Sequence, residues 1–133
     1  MKAVYPVIVT PISNGKYMAE TPDLPTCVTS GRSIQEALDN AREALHGCLC
    51  VLEDDNQSLP QPSAPESIEH EGGTALALIS VDTVQHRREH DQRAVRKNVS
   101  MPAWMAERAD RLNLNLSQII QDSLRVAFAQ TQN

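Results

Sequence analysis

The run "SGRSIQEALDNAREALHGCLCVL", residues 30–52, holds a strand end, a turn and the start of a long helix. Ser33 followed by Glu36 is a capping box, in which the serine side chain accepts from the third helical N–H. Ile34, Ala37, Leu38, Ala41, Leu45, Cys48, Leu49 and Leu52 then recur at helical spacing. The pattern predicts a helix with one apolar stripe packed on a sheet, and a wet face carrying Gln35, Asp39, Asn40, Arg42 and Glu43.

The flanking segments supply that sheet. "AVYPVIVTPI" (3–12) is β-branched and bounded by turn residues, and "SNG" (13–15) leads into "KYMAETP" (16–22) as a hairpin in which Asn14-Gly15 supplies positive φ. "TCVTS" (26–30) is a third short strand that ends at Gly31, and "TALALISVDT" (74–83) is a fourth. Between helix and last strand, "EDDNQSLPQPSAPESIEHEGG" (about 53–73) is acidic and rich in Pro and Ser, a loop longer than most connections in a compact domain. It is either a functional excursion or a mobile arm. The order β-β-β-α-β defines an α+β domain over residues 1–84, with one sheet face left for a partner.

Charge divides the chain. The net charge is -5, yet residues 1–84 hold 4 Lys+Arg against 12 Asp+Glu, while residues 85–133 hold 8 against 5. An acidic half and a basic half point to different partners, with nucleic acid a candidate for the basic one. The chain has 133 residues, 41% of them hydrophobic, which suits one ordinary domain or two small ones. No run of eighteen apolar residues is present and the first residues read as a strand, so a soluble cytoplasmic protein without a membrane partner is expected. Cys27, Cys48 and Cys50 lack C-x-x-C spacing and are expected as reduced thiols. His46 and Cys50 share a helix face, but no second pair completes a tetrahedral site, so neither metal nor cofactor is expected. "HRREH" (86–90) matches the H-x-x-E-H metalloprotease pattern formally. That chemistry needs a deep cleft and a distal third ligand, so the segment 85–92 is expected as a solvated connector.

The second half is organised around "RAVRKNVSMPAWMAERADRLNLNLSQIIQDSLRVAFAQ", residues 93–130. Before Pro102 the alternation is that of a strand, with Val95, Val99 and Met101 on one face and Arg96, Asn98 and Ser100 on the other. Trp104, Met105, Ala109 and Leu112 stripe a first helix, "NLNL" breaks it, and Asn115 caps a second helix carrying Leu116, Ile119, Ile120, Leu124, Ala127 and Phe128. One strand and two short helices cannot bury these stripes alone, which predicts a homodimer over residues 93–133. Its core would be Val99, Met101, Trp104, Ile119 and Ile120. Antiparallel pairing of two strands across a twofold axis would bring Arg96, Asn98 and Ser100 of both chains onto one surface that fits a DNA major groove. There arginine suits guanine, asparagine suits adenine, and serine is a short permissive contact. Lys97 and the helix start at Asn115, Leu116 and Ser117 would meet phosphates.

Two resemblances follow from these residues. Tyr17, Glu20, Pro22, Asp23, Leu24, Pro25, Cys27, Thr29, Gly31, Glu36, Ala37, Asn40, Glu43, Ala44 and Leu45 resemble the N-terminal domain of the HicB antitoxin family, which often has glycine where this chain has Thr26. The strand, "MP", helix, Asn-capped helix order resembles the ribbon-helix-helix repressors, whose base-reading positions fall on Arg96, Asn98 and Ser100. The first resemblance implies a partial, degenerate ribonuclease H-like fold without catalysis, a HicA-like ribonuclease toxin as partner, and Tyr17, Glu20 and Asp23 as toxin-facing residues. Together they imply a non-enzymatic antitoxin that also represses its own operon by binding operator double-stranded DNA as a dimer, with tetramers a further assembly that exposed strand edges would permit. The competing reading is a ribbon-helix-helix repressor whose first half senses a small ligand. An enzyme is the weakest option.

Overall fold

In a computed structural model, residues 1–90 and 93–131 are described. They fall into two compact units, Met1–Gln92 and Arg93–Asn133. The first contains β1 (Lys2–Pro11), β2 (Tyr17–Glu20), β3 (Val28–Gly31), α1 (Ile34–Asp54), β4 (Ala75–Asp82) and α2 (Thr83–His90). The second contains α3 (Ala103–Arg111) and α4 (Leu116–Thr131).

The four strands form one antiparallel sheet in the order β3-β2-β1-β4. Asn14 and Gly15 turn β1 into β2 with φ of 64° and 70°, the left-handed values expected of this pair. α1 carries the chain from edge strand β3 to the opposite edge, β4. Ser33 Oγ accepts from the Glu36 N–H at 3.1 Å, so the predicted N-cap forms.

Ala37, Ala41, Leu45 and Leu49, one residue per turn, are buried against Tyr5, Val7, Ala19, Ile79 and Val81. Each buried leucine contributes roughly 1.5–3 kcal/mol. The small residues at the helix start have a geometric reason. A Cβ on Gly31 would lie 2.3 Å from the Ala37 backbone nitrogen, so β3 and α1 touch backbone to backbone there. Ile34, expected on the buried stripe, is half exposed because it precedes the turn that the sheet covers.

Helices α1 and α3 stop alike. Asn56 (φ 53°) and Asn113 (φ 52°) take the left-handed conformation just past each end. The next N–H reaches back to the helix, Gln57 to the Leu52 carbonyl at 2.9 Å and Leu114 to the Ala109 carbonyl at 3.0 Å. This is the Schellman geometry, with asparagine in glycine's usual place. α1 thus runs to Asp54, and the acidic loop starts later than the expected residue 53.

That loop is fastened. Tyr5 Oη donates to the Pro60 carbonyl at 2.7 Å, and Asp23 accepts from both the N–H and the hydroxyl of Ser63. Leu59 packs against the core cluster. The segment is an excursion tied down near its middle.

At two places the described single chain differs from the expected local structure. Of residues 85–92, expected as a solvated connector, 85–90 are the body of α2, which packs on α1 through polar side chains instead of an apolar stripe, and 91–92 lie outside the described residues. Residues 95–101, expected as a strand, carry no strand hydrogen bonding in the single chain. A lone strand has no ladder to join, and this one lacks a second strand within its own unit.

Candidate functional site

Tyr17, Glu20 and Asp23 lie in three different environments. Tyr17, opposite Gly31 in β2, packs against the core on the α1 side of the sheet. Glu20 faces the other way, between Ile8 of β1 and Val28 of β3. Asp23 accepts from both the N–H and the hydroxyl of Ser63, so it organises the loop. Its charge and, more strongly, burial push the Tyr5 phenol up from its ordinary pKa. Around Glu20, the sheet face away from α1 carries Val4, Val28 and Leu78, each about half exposed, while Pro6 on the same face is covered. The chain there offers apolar surface beside a carboxylate.

Sequence reasoning missed the junction of α1, β4 and α2. Arg87 reaches across to α1, donating to the Cys50 carbonyl at 3.0 Å and pairing with Asp54 at 3.0 Å and Glu53 at 3.5 Å. Asp82 Oδ1 caps α2 by accepting from the Gln85 N–H at 3.1 Å. That bond, with Lys2 at 3.8 Å, holds the Asp82 carboxyl below the usual carboxylate range. His46, His86 and His90 form a stack, with ring centroids 4.6 and 4.2 Å apart. Beside it, Arg42, Ser80, Asp82, Gln85 and Glu89 line an open cavity of about 440 Å³. The i, i+4 spacing of His86 and His90 was visible in the sequence, but not their partner on α1. Among the described residues, no group of three or more His, Cys, Asp or Glu is arranged to hold a metal ion. The three cysteines are free thiols, and burial pushes those of Cys27 and Cys50 up.

In the second unit, residues 93–101, with Arg96, Lys97, Asn98, Val99, Ser100 and Met101, are exposed throughout. In α3 and α4, Ala106, Leu116 and Ile120 are partly covered, and among the described residues only Ala109 is fully buried. Trp104 and Ile119 remain 61% and 43% exposed, as do similar fractions of Met105, Leu112, Leu124, Val126 and Phe128. That is a large uncovered apolar surface for so small a unit. Asn115 Oδ1 accepts from the Gln118 N–H at 3.1 Å, as its place as N-cap predicts. The earlier amides of that turn, Leu116 and Ser117, lie at a helix N-terminus, where N–H groups have no partner within the helix. The charge division survives the revised boundary, since residues 1–92 hold 6 Lys+Arg against 14 Asp+Glu and residues 93–133 hold 6 against 3.

Comparison with known proteins bears on both units. Residues 5–124 match the family described as "HicB_like antitoxin of bacterial toxin-antitoxin system". The chain is 36% identical over 76 residues to the antitoxin HicB of Escherichia coli K12, a match covering 57% of this chain and 55% of that protein. The matched region thus spans about half the length of that curated relative. Among solved structures, the Burkholderia pseudomallei antitoxin HicB superposes with a TM-score of 0.56 at 25% identity, covering 92% of this chain and 96% of that one. A chain of a structure described as a toxin-antitoxin complex from Streptococcus pneumoniae superposes with a TM-score of 0.60 at 22% identity, covering 96% and 99%. The second likeness speaks to fold alone. No described helix is long and apolar enough to cross a membrane.

Proposed function

Because the chain belongs to the HicB-like antitoxin family, we propose that it neutralises a HicA-type, mRNA-cleaving ribonuclease through its acidic first unit. Its basic second unit dimerises and represses its own operon by binding operator DNA. The observation that carries this reading is the charge division along unit boundaries, -8 over residues 1–92 and +3 over residues 93–133. An acidic surface steers and selects a cationic RNA-cleaving partner, and a basic one suits phosphates.

The β-β-β-α-β order of the first unit supports its reading as a partial ribonuclease H-like fold turned to binding. Two-metal hydrolysis needs several carboxylates converging on one point. Here Glu20 stands on a sheet face and Asp23 is tied to Ser63. The half-exposed Val4, Val28 and Leu78 around Glu20 give a toxin apolar contact beside charge.

In the second unit the reading is a ribbon-helix-helix. Residues 95–101 become a strand when a second copy supplies the antiparallel partner, and Val99, Met101, Trp104, Ile119 and Ile120 close the dimer core. Arg96, Asn98 and Ser100 then read bases, while Lys97 and the α4 start at Asn115, Leu116 and Ser117 hold phosphates. The unpaired exposed segment, the half-exposed Trp104 and Ile119 and the Asn115 cap all support it.

The test is a pair of assays on one preparation. The chain should suppress RNA cleavage by a small ribonuclease encoded beside it and shift a DNA fragment from its own promoter. If it does neither, while a metal ion or metabolite alters its DNA affinity, it is a ligand-responsive repressor.

A further inference from the structure

The stack of His46, His86 and His90 joins α1 to α2, the last element before the chain passes to the second unit. His46 is bonded on both sides of its ring. Its Nε2 accepts from the Asp82 N–H at 3.0 Å, and its ring also bonds the Arg42 carbonyl one turn back. Both nitrogens are thereby committed, Nδ1–H as donor and Nε2 as acceptor. A proton added to Nε2 would point one N–H at another, and that bond would be lost. His90 bonds the His86 carbonyl at 3.0 Å, which fixes the outer ring of the stack.

We propose that His46, at the α1 end of this stack, is an acid-sensitive latch, which holds the β4–α2 corner against α1 when neutral and releases it when protonated. Protonation breaks the His46–Asp82 bond at the β4–α2 corner and places a charge on a ring stacked 4.6 Å, centroid to centroid, from that of His86. The surrounding charges work in both directions. From α1, Arg42 opposes a charge on His46; from the end of β4, Asp82 favours it, though Lys2 shares that carboxylate. From α2, His86 opposes it, and Glu89, on the cavity wall, is engaged by the Gln85 amide at 2.9 Å. Burial and the His86 charge, in that order, hold the His46 pKa below its ordinary value. The acidic groups therefore do not reverse the effect. Arg87, on the other side of α2, makes a second attachment to α1 through Glu53 and Asp54, so the latch acts on one of two attachments. Release loosens the 8 residues of α2 into the tether between the units.

The experiment is a titration of the full-length protein by NMR from about pH 8 to 5.5, a range that leaves ordinary carboxylates charged. The His46 ring resonances and the backbone amides of residues 84–89 are followed together. Expected is a shift of the α2 amides away from their helical positions with the same midpoint as His46. In His46→Gln, whose side-chain carbonyl can accept from the Asp82 N–H but takes no proton, the α2 amides should stay in place throughout. Protonation of His46 with unmoved α2 amides would overturn the proposal, as would the full transition persisting in the glutamine variant. Should that variant not fold, the wild-type titration decides by itself.

Discussion

Replacing Ile119 by aspartate should leave the first unit folded and prevent the second from dimerising. In the single chain Ile119 is 43% exposed, Trp104 61% and Phe128 54%, and about ten large apolar side chains of this unit are similarly uncovered. Taking about 200 Å² for a large side chain, half of it exposed, these residues leave on the order of 1,000 Å² per chain to cover, close to the ~800 Å² each partner gives in a standard interface. Covering the exposed 43% of one isoleucine is worth roughly 0.6–1.3 kcal/mol, and a twofold dimer loses it twice, so Ile119→Asp costs at least about 1.2–2.6 kcal/mol before any penalty for the buried carboxylates. That raises the dimer dissociation constant by roughly sevenfold to seventyfold, at 1.4 kcal/mol per decade, with the carboxylate penalty in addition. Sedimentation equilibrium of the full chain measures it, with circular dichroism confirming that the first unit is intact. A variant that dimerises as tightly as the wild type would show that this helix face is not the dimer core, and a monomeric wild type would remove the interface altogether.

Other substitutions probe separate links. Arg96→Ala should weaken operator binding by about 1–3 kcal/mol in a fluorescence anisotropy titration while leaving ribonuclease inhibition intact; equal loss of both would assign the residue to folding. Gly31→Ala forces a Cβ into the α1 backbone 2.3 Å away, so thermal melts of the first unit should show a loss of about 1–3 kcal/mol or more. Asp23→Ala removes both bonds to Ser63, each worth about 1.5–3 kcal/mol to a charged acceptor, and should open the 55–74 loop to limited proteolysis. The lowered His46 pKa also sets a pH dependence for stability. The unfolded chain takes the proton more readily, so His46 costs nothing above pH about 6.5 and destabilises the first unit as pH falls below it; chemical denaturation at pH 7.5 and 6 should show the decline, and equal stability would contradict it.

Which features were legible follows from how far their causes reach along the chain. Ser33 with Glu36, the Ala37–Ala41–Leu45–Leu49 row and Asn14-Gly15 act within a few residues, and each formed as read. The clamp of Asp23 on Ser63 joins residues 40 apart and leaves no periodic trace, so it was not legible in the sequence. α2 misled for another reason. Its sequence "TVQHRREH" has almost no apolar stripe, because it docks through Arg87 and stacked imidazoles and not through hydrophobic burial. The alternation of Val95, Val99 and Met101 with Arg96, Asn98 and Ser100 reads as a strand, but the described single chain forms none over 95–101.

The central claim is that the acidic unit, not the basic one, neutralises a ribonuclease. Residues 1–92 expressed alone with the small ribonuclease encoded beside this chain should co-purify with it and abolish its cleavage of RNA, as the full chain does. A folded 1–92 fragment that neither binds nor inhibits, alongside a full chain that does, would move the inhibitory site to the second unit and contradict the account.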